Sequence, residues 1–527
     1  MATNAPSGDP QQNAALKRVM GPKLLLLFIV GDILGTGVYA LTGQVAKEVG
    51  GAAWLPFLVA FGVALLTALS YLELVTKYPK AAGAALYVHK AFGLHFLTFI
   101  VCFTVMCSGL TSAATASQAF AANLFAAFGI EASKTWITMG ALGFMALVML
   151  VNLRGASESV RANVVLTLIE LSGLLMVILL GFYAMSEGQA DFSRVIAFDT
   201  PEDKSVFLAV TSATALAFFA MVGFEDSVNM AEETHNPSRI FPKVMLTGLG
   251  LTAVIYVLVS ICAVALVPVG ELAGSSTPLV LVVKRAAPGL PVEYIMPVIS
   301  MFAVANSALI NMMMASRLLY GMSRQGVLPA FLAHVHRRNQ TPWTAILFTT
   351  ALAFGLIILV ALADSEAIRA LGGTTALLLL GVFAFVNVAV LVLRRDQVKH
   401  EHFRINRIVP WLGAAACLFL VTPLTGRDVI QYQVAGWLLL LGVVMWGVTY
   451  LRAAARKRCG WIRRRWNRKA RQALPDAGPA PAHAGTADGA PGILLSRLAP
   501  NPRGADRPRP AGRRRRSRCH GCRWGNR

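Results

Sequence analysis

Charged side chains are scarce in this chain: Asp, Glu, Lys and Arg make up 14% of its 527 residues, whereas 56% are hydrophobic. The mean hydropathy is +0.60. A soluble domain of this length does not need so much apolar surface. The shortage of charge therefore excludes a soluble enzyme or a soluble binding module and predicts an integral membrane protein.

Several motifs are also absent. The sequence has no phosphate-binding loop and no nucleophile–base constellation, which argues against an enzyme and against an ATP-driven pump. We predict no metal and no other cofactor, because Cys519 and Cys522 form a single C-x-x-C with no second pair. No cleavable signal peptide is predicted either, since the first 22 residues are polar and lead directly into a long helix.

What the chain has instead is twelve apolar stretches. A bilayer core about 30 Å thick needs roughly 20 apolar residues per helix, so each stretch predicts one spanning helix. We predict an all-α integral membrane fold, with a cytoplasmic N-terminal tail at 1–22, a transmembrane domain at 23–452 and a basic, disordered cytoplasmic tail at 453–527. The predicted spans are 24–45, 52–75, 96–122, 136–153, 164–185, 206–230, 244–267, 295–316, 343–363, 371–393, 408–424 and 434–451.

The distribution of Lys and Arg predicts the orientation. With a cytoplasmic amino terminus, the inner segments carry 19 Lys and Arg and the outer loops carry 8. The positive-inside rule then places both termini in the cytoplasm, and we expect the plasma membrane.

The segment from Arg452 onward contributes +18 of the net charge of +22. Its composition indicates a tail that adheres to anionic membrane lipid, and we expect no nucleic acid partner.

Two of the spans are interrupted at their centres by glycine beside an acid. The first interruption reads Gly-Asp-Ile-Leu-Gly-Thr-Gly-Val at 31–38, and the second reads Phe-Phe-Ala-Met-Val-Gly-Phe-Glu-Asp at 218–226. An interrupted helix frees backbone N–H and C=O groups, which is tolerated at membrane depth only where they line a cavity or are buried in protein. Because such interruptions in corresponding positions of two halves mark transporter binding sites, the pattern predicts a secondary transporter.

The first interruption offers two kinds of polar group. A half-helix that begins near Thr36 directs its N–H groups and its positive dipole end into the membrane centre, where an anionic group binds. The carbonyl groups from Gly31 to Ile33 face the same gap and suit a cation. This pair of sites matches a zwitterion such as an amino acid. The alternative interpretation is that Gly35 and Gly37 only permit close packing of helices.

Four acids, Asp32, Glu170, Glu225 and Asp226, lie within the predicted spans. A carboxylate at the centre of a spanning helix costs about 2.5–3.5 kcal/mol on insertion scales, so it faces the bundle interior and usually serves an ion or substrate path. The charge of Asp32 beside the first break favours a cationic substrate, although the same carboxyl could instead be a proton site. Glu170 stands alone in an apolar helix, where burial favours the protonated form. It is therefore a candidate for proton coupling, with a neutral hydrogen bond to a neighbouring Ser or Asn as the alternative.

Four motifs, in order along the chain, resemble those of the amino acid–polyamine–organocation (APC) superfamily of permeases. Residues 31–38 resemble the family's helix 1 motif, and residues 73–93 are similar to its first inner loop. Residues 218–237 resemble helix 6 with its cytoplasmic exit, and residues 316–329 are similar to the loop between helices 8 and 9. The resemblance covers 24–451 and implies a leucine-transporter-like fold of about 12 transmembrane helices. In that fold helices 1–5 and 6–10 form a five-plus-five inverted repeat, and helices 1 and 6 are broken.

The resemblance also implies roles for individual residues. The amides of Thr36 and Gly37 would hold the substrate carboxylate. The carbonyl of Ile33, with carbonyls near Phe219, Ala220 and Val222, would hold the amino group. Phe219 occupies the aromatic gate position of helix 6, and Glu225 matches an acid found there in some members. The predicted substrate-binding set is Asp32, Ile33, Gly35, Thr36, Gly37, Phe219, Ala220, Val222 and Glu225.

These observations predict a permease that moves amino acids by alternating access, with a coupled proton or an exchanged amino acid as its second partner. The charge of Asp32 adds a preference for cationic amino acids to this prediction. A polyamine permease is one alternative, and it would need no cradle for a carboxylate. The other is a nutrient sensor that keeps the fold without transport and uses its basic tail as the output.

Overall fold

The computed structural model describes residues 16–130, 132–200, 205–275, 277–289, 291–362, 365–427 and 429–472. The described residues up to 457 form one compact unit, and the described residues from 458 onward belong to a second. Within the first half of the described chain the helices are α1 (Pro22–Val49), α2 (Trp54–Lys77), α3 (Gly83–Phe92), α4 (His95–Ala127), α5 (Lys134–Arg154), α6 (Ala156–Ser186), α7 (Phe192–Val195) and α8 (Val206–Met221).

The second half continues with further helices and short 3₁₀ segments. The helices are α9 (Pro237–Leu266), α10 (Val269–Gly274), α11 (Pro278–Ala286), α12 (Val292–Arg324), α13 (Trp343–Leu362), α14 (Ser365–Leu393), α15 (Ile408–Val421) and α16 (Val429–Gln472). The 3₁₀ segments span Asp226–Glu233, Ala330–Ala333 and Pro423–Thr425.

The all-α membrane architecture predicted from composition is confirmed. Ten helical segments of the described chain are long and apolar enough to cross a membrane, and two shorter apolar segments are Trp343–Leu359, within α13, and Ile408–Val421, which is α15. The latter ends three residues before the predicted boundary at 424, because Thr422 adopts an extended conformation (ψ 154°) ahead of Pro423. The protein is thus a multi-pass membrane protein, whereas twelve spans and an inverted repeat stay predictions.

The predicted domain boundaries also stay predictions. Helix α16 continues without interruption to Gln472, past the predicted boundary at 452 and into the segment that we expected to be disordered. Residues 1–15 and 473–527, which include Cys519 and Cys522, lie outside the described part of the chain.

Helix α1 lies in the middle of the bundle. It contacts α6, α8, α9 and α12, and Phe28, Leu34, Val38 and Val45 along its length are fully buried. A helix covered on all sides by other helices is the place where an interrupted backbone is tolerated, because protein groups replace lipid around the break. The packing of α1 therefore explains how three glycines in seven residues persist at membrane depth.

A buried ion pair joins two elements at one end of the bundle. Nε of Arg317 on α12 donates to Oε1 of Glu233 at 2.8 Å, with exposed side-chain fractions of 0% and 1%. The backbone carbonyl of Glu233 also accepts the N–H groups of Val19 and Met20. Glu233 lies in the 3₁₀ segment after the second break. Its side chain therefore connects this segment to α12, and its backbone carbonyl connects it to the segment before α1. An outer pair, Arg324 with Glu232 at 3.3 Å, is partly exposed.

We expect Glu233→Leu to destabilise the protein strongly, because it leaves the Arg317 guanidinium buried without its charge partner. Removing one member of a buried pair typically costs about 3–5 kcal/mol. The double variant Glu233→Leu/Arg317→Met should recover much of the loss. Thermal unfolding of the purified protein in detergent measures the effect. The control is Arg324→Met, which breaks the exposed pair and should cost about 1 kcal/mol or less. Equal losses in the single and double Glu233 variants would contradict a role for the ion pair.

Candidate functional site

The first helix break lies at Gly35, near the middle of α1. Gly35 has φ 21° and ψ −157°, well outside the helical region, while the residues on either side continue the helix. A positive φ is inexpensive for glycine and strained for other residues. The break therefore lies where the glycine-rich interruption at 31–38 predicted it.

The second break follows α8. The helix ends at Met221, Val222 is extended with φ −73° and ψ 147°, and Gly223 has φ 131°. A 3₁₀ segment then resumes at Asp226. The backbone N–H of Gly223 donates to Oε2 of Glu225 at 2.8 Å, so the acid of this interruption satisfies a donor that the break exposes. This break also coincides with the predicted one.

The two breaks contact each other through backbone. A Cβ added at Gly37 would lie 2.8 Å from the Cα of Ala220, and one added at Gly223 would lie 2.9 Å from the carbonyl carbon of Asp32. Real Cβ atoms are essentially never this close to other heavy atoms. The alternative interpretation, that glycine permits close packing, therefore describes Gly37. A side chain at Gly37 would first contact Ala220 of α8.

A cavity of about 60 Å³ lies between the breaks. This volume exceeds the minimum of about 10–15 Å³ that one water needs, so the space can hold water in this conformation. Helices α4, α12 and α14 complete its wall. The lining residues are Asp32, Ile33, Gly35, Gly37, Ser108, Ser112, Phe219, Ala220, Val222, Gly223, Glu225, Asp226, Ser307, Asn311 and Thr375.

The electrostatic character of the cavity is acidic. Asp32, Glu225 and Asp226 all line it, and the described lining residues include no Lys or Arg. Glu225 and Asp226 are 4% and 6% exposed, and Oδ2 of Asp32 is buried without a hydrogen-bond partner among the described residues. Carboxyl groups gathered in this way repel one another when ionised. A bound cation or a proton would relieve that repulsion.

Glu170 does not line the cavity but is linked to the first break. Nδ2 of Asn306 on α12 contacts Oε2 of Glu170 at 3.4 Å and also donates to the carbonyl of Gly31 at 3.2 Å. Thr167 accepts from the same amide nitrogen at 3.0 Å, and Asn163 donates to the Asn306 oxygen at 2.8 Å. Oε1 of Glu170 has no partner within the described residues. The hydrogen bond to a neighbouring Asn is therefore present, and the proton role stays a prediction.

Tyr256 on α9 connects the two breaks. Its hydroxyl lies within hydrogen-bond distance of the carbonyl oxygens of Ile33, Leu34 and Ala220. Two of these carbonyls, those of Ile33 and Ala220, were predicted to hold a substrate amino group. They have a protein donor in this conformation instead.

Most of the predicted site residues come together. Nine of the ten predicted residues belong to the two breaks, and eight of those nine line the cavity: Asp32, Ile33, Gly35, Gly37, Phe219, Ala220, Val222 and Glu225. The ninth, Thr36, lies on α1 between Gly35 and Gly37, and its side chain is outside the described part of the structure. Glu170 lies on α6 instead. That these residues bind a substrate stays a prediction.

Sequence reasoning missed the residues that other helices contribute. Ser108 and Ser112 on α4, and Ser307 and Asn311 on α12, line the cavity as pairs four residues apart. Polar residues at this spacing share one face of an otherwise apolar helix, which is a signal that could have found them. Tyr256 has no such signal, because one tyrosine in an apolar helix predicts nothing about its partner.

A family model described as amino acid permease matches residues 22–448. The chain belongs to this amino acid permease family. The matched range begins at α1 and ends within α16, so it contains both breaks and every residue that lines the cavity. The family consists of transporters, which agrees with the expectation that the protein is not an enzyme.

Relatives within this permease group carry different substrate names. The branched-chain amino acid permease BcaP of Bacillus subtilis is 27% identical over 455 residues, covering 82% of this chain and 93% of its own. The methylthioribose transporter of the same organism is 26% identical over 448 residues, covering 80% and 92%. Cationic amino acid transporter 4 of Mus musculus is 28% identical over 420 residues, covering 75% of this chain and 62% of its own. Identity to these relatives does not by itself select a substrate.

We expect Gly37→Ala to abolish function through the contact between the breaks. The added Cβ would overlap Ala220, and overpacking of this kind costs about 1–3 kcal/mol. Uptake into proteoliposomes should fall by about tenfold or more. Gly62→Ala on α2 is the matched control, since nothing lies within 4 Å of its added Cβ. Uptake within about twofold of the parent protein in Gly37→Ala would show that the breaks do not need this close approach.

Proposed function

We propose that this permease is a secondary active transporter that moves amino acids across the plasma membrane by alternating access. The supporting observation is the meeting of two helix breaks at a small acidic cavity. The proposal includes twelve spanning helices, a five-plus-five inverted repeat, and both termini in the cytoplasm.

The breaks offer complementary groups for the two ends of an amino acid. The half-helix that follows Gly35 begins with backbone N–H groups at Thr36 and Gly37, and a helix amino end attracts a carboxylate. Ile33 and Ala220 line the same cavity, and their backbone carbonyls would attract an ammonium group. Phe219 lines the same cavity and would close over the bound substrate. The ligand would therefore be held mainly by backbone, which leaves room for different side chains.

A preference for cationic amino acids is the finer part of the proposal. When ionised, Asp32, Glu225 and Asp226 would provide more negative charge than one ammonium group requires. A second positive charge on the substrate side chain would balance the excess. Relatives named cationic amino acid transporters are consistent with this preference.

Proton coupling through Glu170 is proposed on its position. The residue is buried, one of its oxygens lacks a partner in the described structure, and Asn306 links it to the carbonyl of Gly31 at the first break. Protonation of Glu170 would change how Asn306 bonds to that break, and so would couple proton uptake to the conformation of α1. Exchange of one amino acid for another, without a proton, is the alternative mode.

Uptake and counterflow in proteoliposomes test the proposed function. The panel contains L-arginine, L-lysine, L-leucine, putrescine and methylthioribose, and competition by amino acid methyl esters shows whether the carboxylate is needed. Saturable uptake of amino acids, blocked poorly by the methyl esters, supports the proposal. Preference for putrescine with indifference to esterification would identify a polyamine permease. Binding without flux would indicate a sensor, and selective methylthioribose uptake would exclude amino acids as the substrate class.

We expect Asp32→Asn to weaken cationic substrates selectively. Loss of one charge beside the first break removes attraction for a second positive charge but leaves the backbone cradle intact. The inhibition constants of L-arginine and L-lysine should rise about tenfold, equivalent to about 1.4 kcal/mol, and that of L-leucine by less than about threefold. Asp199→Asn, an exposed acid in the loop before α8, is the control. Equal losses for all three ligands would make Asp32 a structural or proton-handling residue.

We expect Glu170→Gln to retain exchange and to lose acceleration by an inward proton gradient. Glutamine keeps the shape and the hydrogen bond to Asn306 but cannot release a proton. Counterflow measures exchange, and uptake with and without an imposed pH gradient measures coupling. Glu187→Gln, an exposed acid just after α6, is the control for the same chemical change. A Glu170→Gln protein that still responds to the gradient would reduce Glu170 to a structural role.

A further inference from the structure

The hydroxyl of Tyr256 lies where the two breaks come together. Its oxygen is 2.5 Å from the carbonyl oxygen of Ile33, 3.0 Å from that of Leu34 and 3.1 Å from that of Ala220. We propose that Tyr256 is a positioning residue, which holds the carbonyls of both breaks at the spacing that a substrate ammonium group recognises. This inference rests on the proposed function for the nature of the ligand, although the link between the breaks does not.

The ring of Tyr256 is held independently of both breaks. It lies on α9, is fully buried, and packs against Phe57 of α2 with ring centroids 5.7 Å apart. Helix α9 contacts both α1 and α2. Packing on α9 and α2 therefore fixes the position of the hydroxyl. The backbone of α1 and the end of α8 are aligned by their hydrogen bonds to it.

The three carbonyls need more donors than the hydroxyl provides. Ala220 lies in the last turn of α8, and Ile33 and Leu34 directly precede the non-helical Gly35. Carbonyls at the end of a helical segment have no partner within the helix. Each can accept two hydrogen bonds, whereas one hydroxyl donates a single proton. An ammonium group carries three donors and a positive charge, so it would supply the hydrogen bonds to these carbonyls that the Tyr256 hydroxyl cannot.

Removal of the hydroxyl should therefore weaken recognition of the amino group of the ligand. In Tyr256→Phe the carbonyls lose their only described side-chain donor, repel one another and no longer hold their spacing. The control is Tyr87→Phe, because Tyr87 is also fully buried but its hydroxyl has no hydrogen-bond partner among the described residues. Both variants remove one buried hydroxyl, and only one of them disturbs the breaks.

Transport kinetics provide the first test, using the amino acid that the wild-type protein takes up best. We expect Tyr256→Phe to raise the half-saturation constant about tenfold, as the loss of one hydrogen bond near a charged group does, with the maximal rate changed by less than about twofold. Tyr87→Phe should match the wild type. A fall in maximal rate with an unchanged half-saturation constant would overturn the positioning role.

Ligand chemistry provides the second test, because it separates positioning from general damage. The inhibition constant of the α-hydroxy acid analogue, divided by that of the amino acid, measures how strongly the site prefers an amino group. We expect this ratio to fall about tenfold in Tyr256→Phe and to stay unchanged in Tyr87→Phe. An unchanged ratio in a correctly folded Tyr256→Phe protein would overturn the inference.

Hydrogen exchange tests the link without requiring transport. Amide exchange in peptides that cover 33–38 and 219–224 should be faster in Tyr256→Phe and unaltered in Tyr87→Phe. If the wild-type protein moves no amino acid, the proposed function fails, while faster exchange at both breaks still supports the link. Unaltered exchange at both breaks would refute it. If Tyr256→Phe does not fold, 3-fluorotyrosine at position 256 reports instead, and its ¹⁹F signal should shift with the amino acid and not with the hydroxy acid.

Discussion

The close approach of two interrupted helices is the constraint on which the site depends. Hydrocarbon offers no hydrogen bonds, so the backbone groups freed at Gly35 and Gly223 must be satisfied by protein or by a ligand. Glycine makes this possible because Gly37 packs directly on Ala220, and Gly223 packs on Asp32. The same glycines that weaken the helices therefore build the cavity. Helices α6, α9 and α12 surround α1 and keep the interruption away from lipid.

The acids of the bundle interior lie in two separate groups of residues. Asp32, Glu225 and Asp226 share the cavity between the breaks, where a positive ligand would offset their mutual repulsion. Glu170 does not line that cavity, and Asn306 links its carboxyl to the carbonyl of Gly31 at the first break. An arrangement with substrate charge in one place and a titratable group in another is what coupling between two solutes requires. The proposed coupling would pass through the backbone of α1, which both groups of residues contact.

Sequence alone was sufficient for the membrane class, for the family resemblance and for the position of both breaks. Those features are local, because glycine beside an acid within an apolar run is unfavourable in an unbroken spanning helix. The partners of the breaks could not be predicted in the same way. Tyr256 and Asn306 act through contacts between helices far apart in the chain, and a single polar residue in an apolar helix does not indicate which backbone group it meets. Close packing at Gly37 was one of the two interpretations of the sequence, but its partner, Ala220 on α8, could not be predicted for the same reason.

A structure of the purified protein in lipid nanodiscs with its transported amino acid bound tests the central claim most directly. The account predicts ligand density between the two breaks, with the carboxylate at the amides of residues 36 and 37 and the amino group facing the carbonyls of Ile33 and Ala220. Density for the ligand elsewhere in the bundle, with the space between the breaks unchanged, would contradict it.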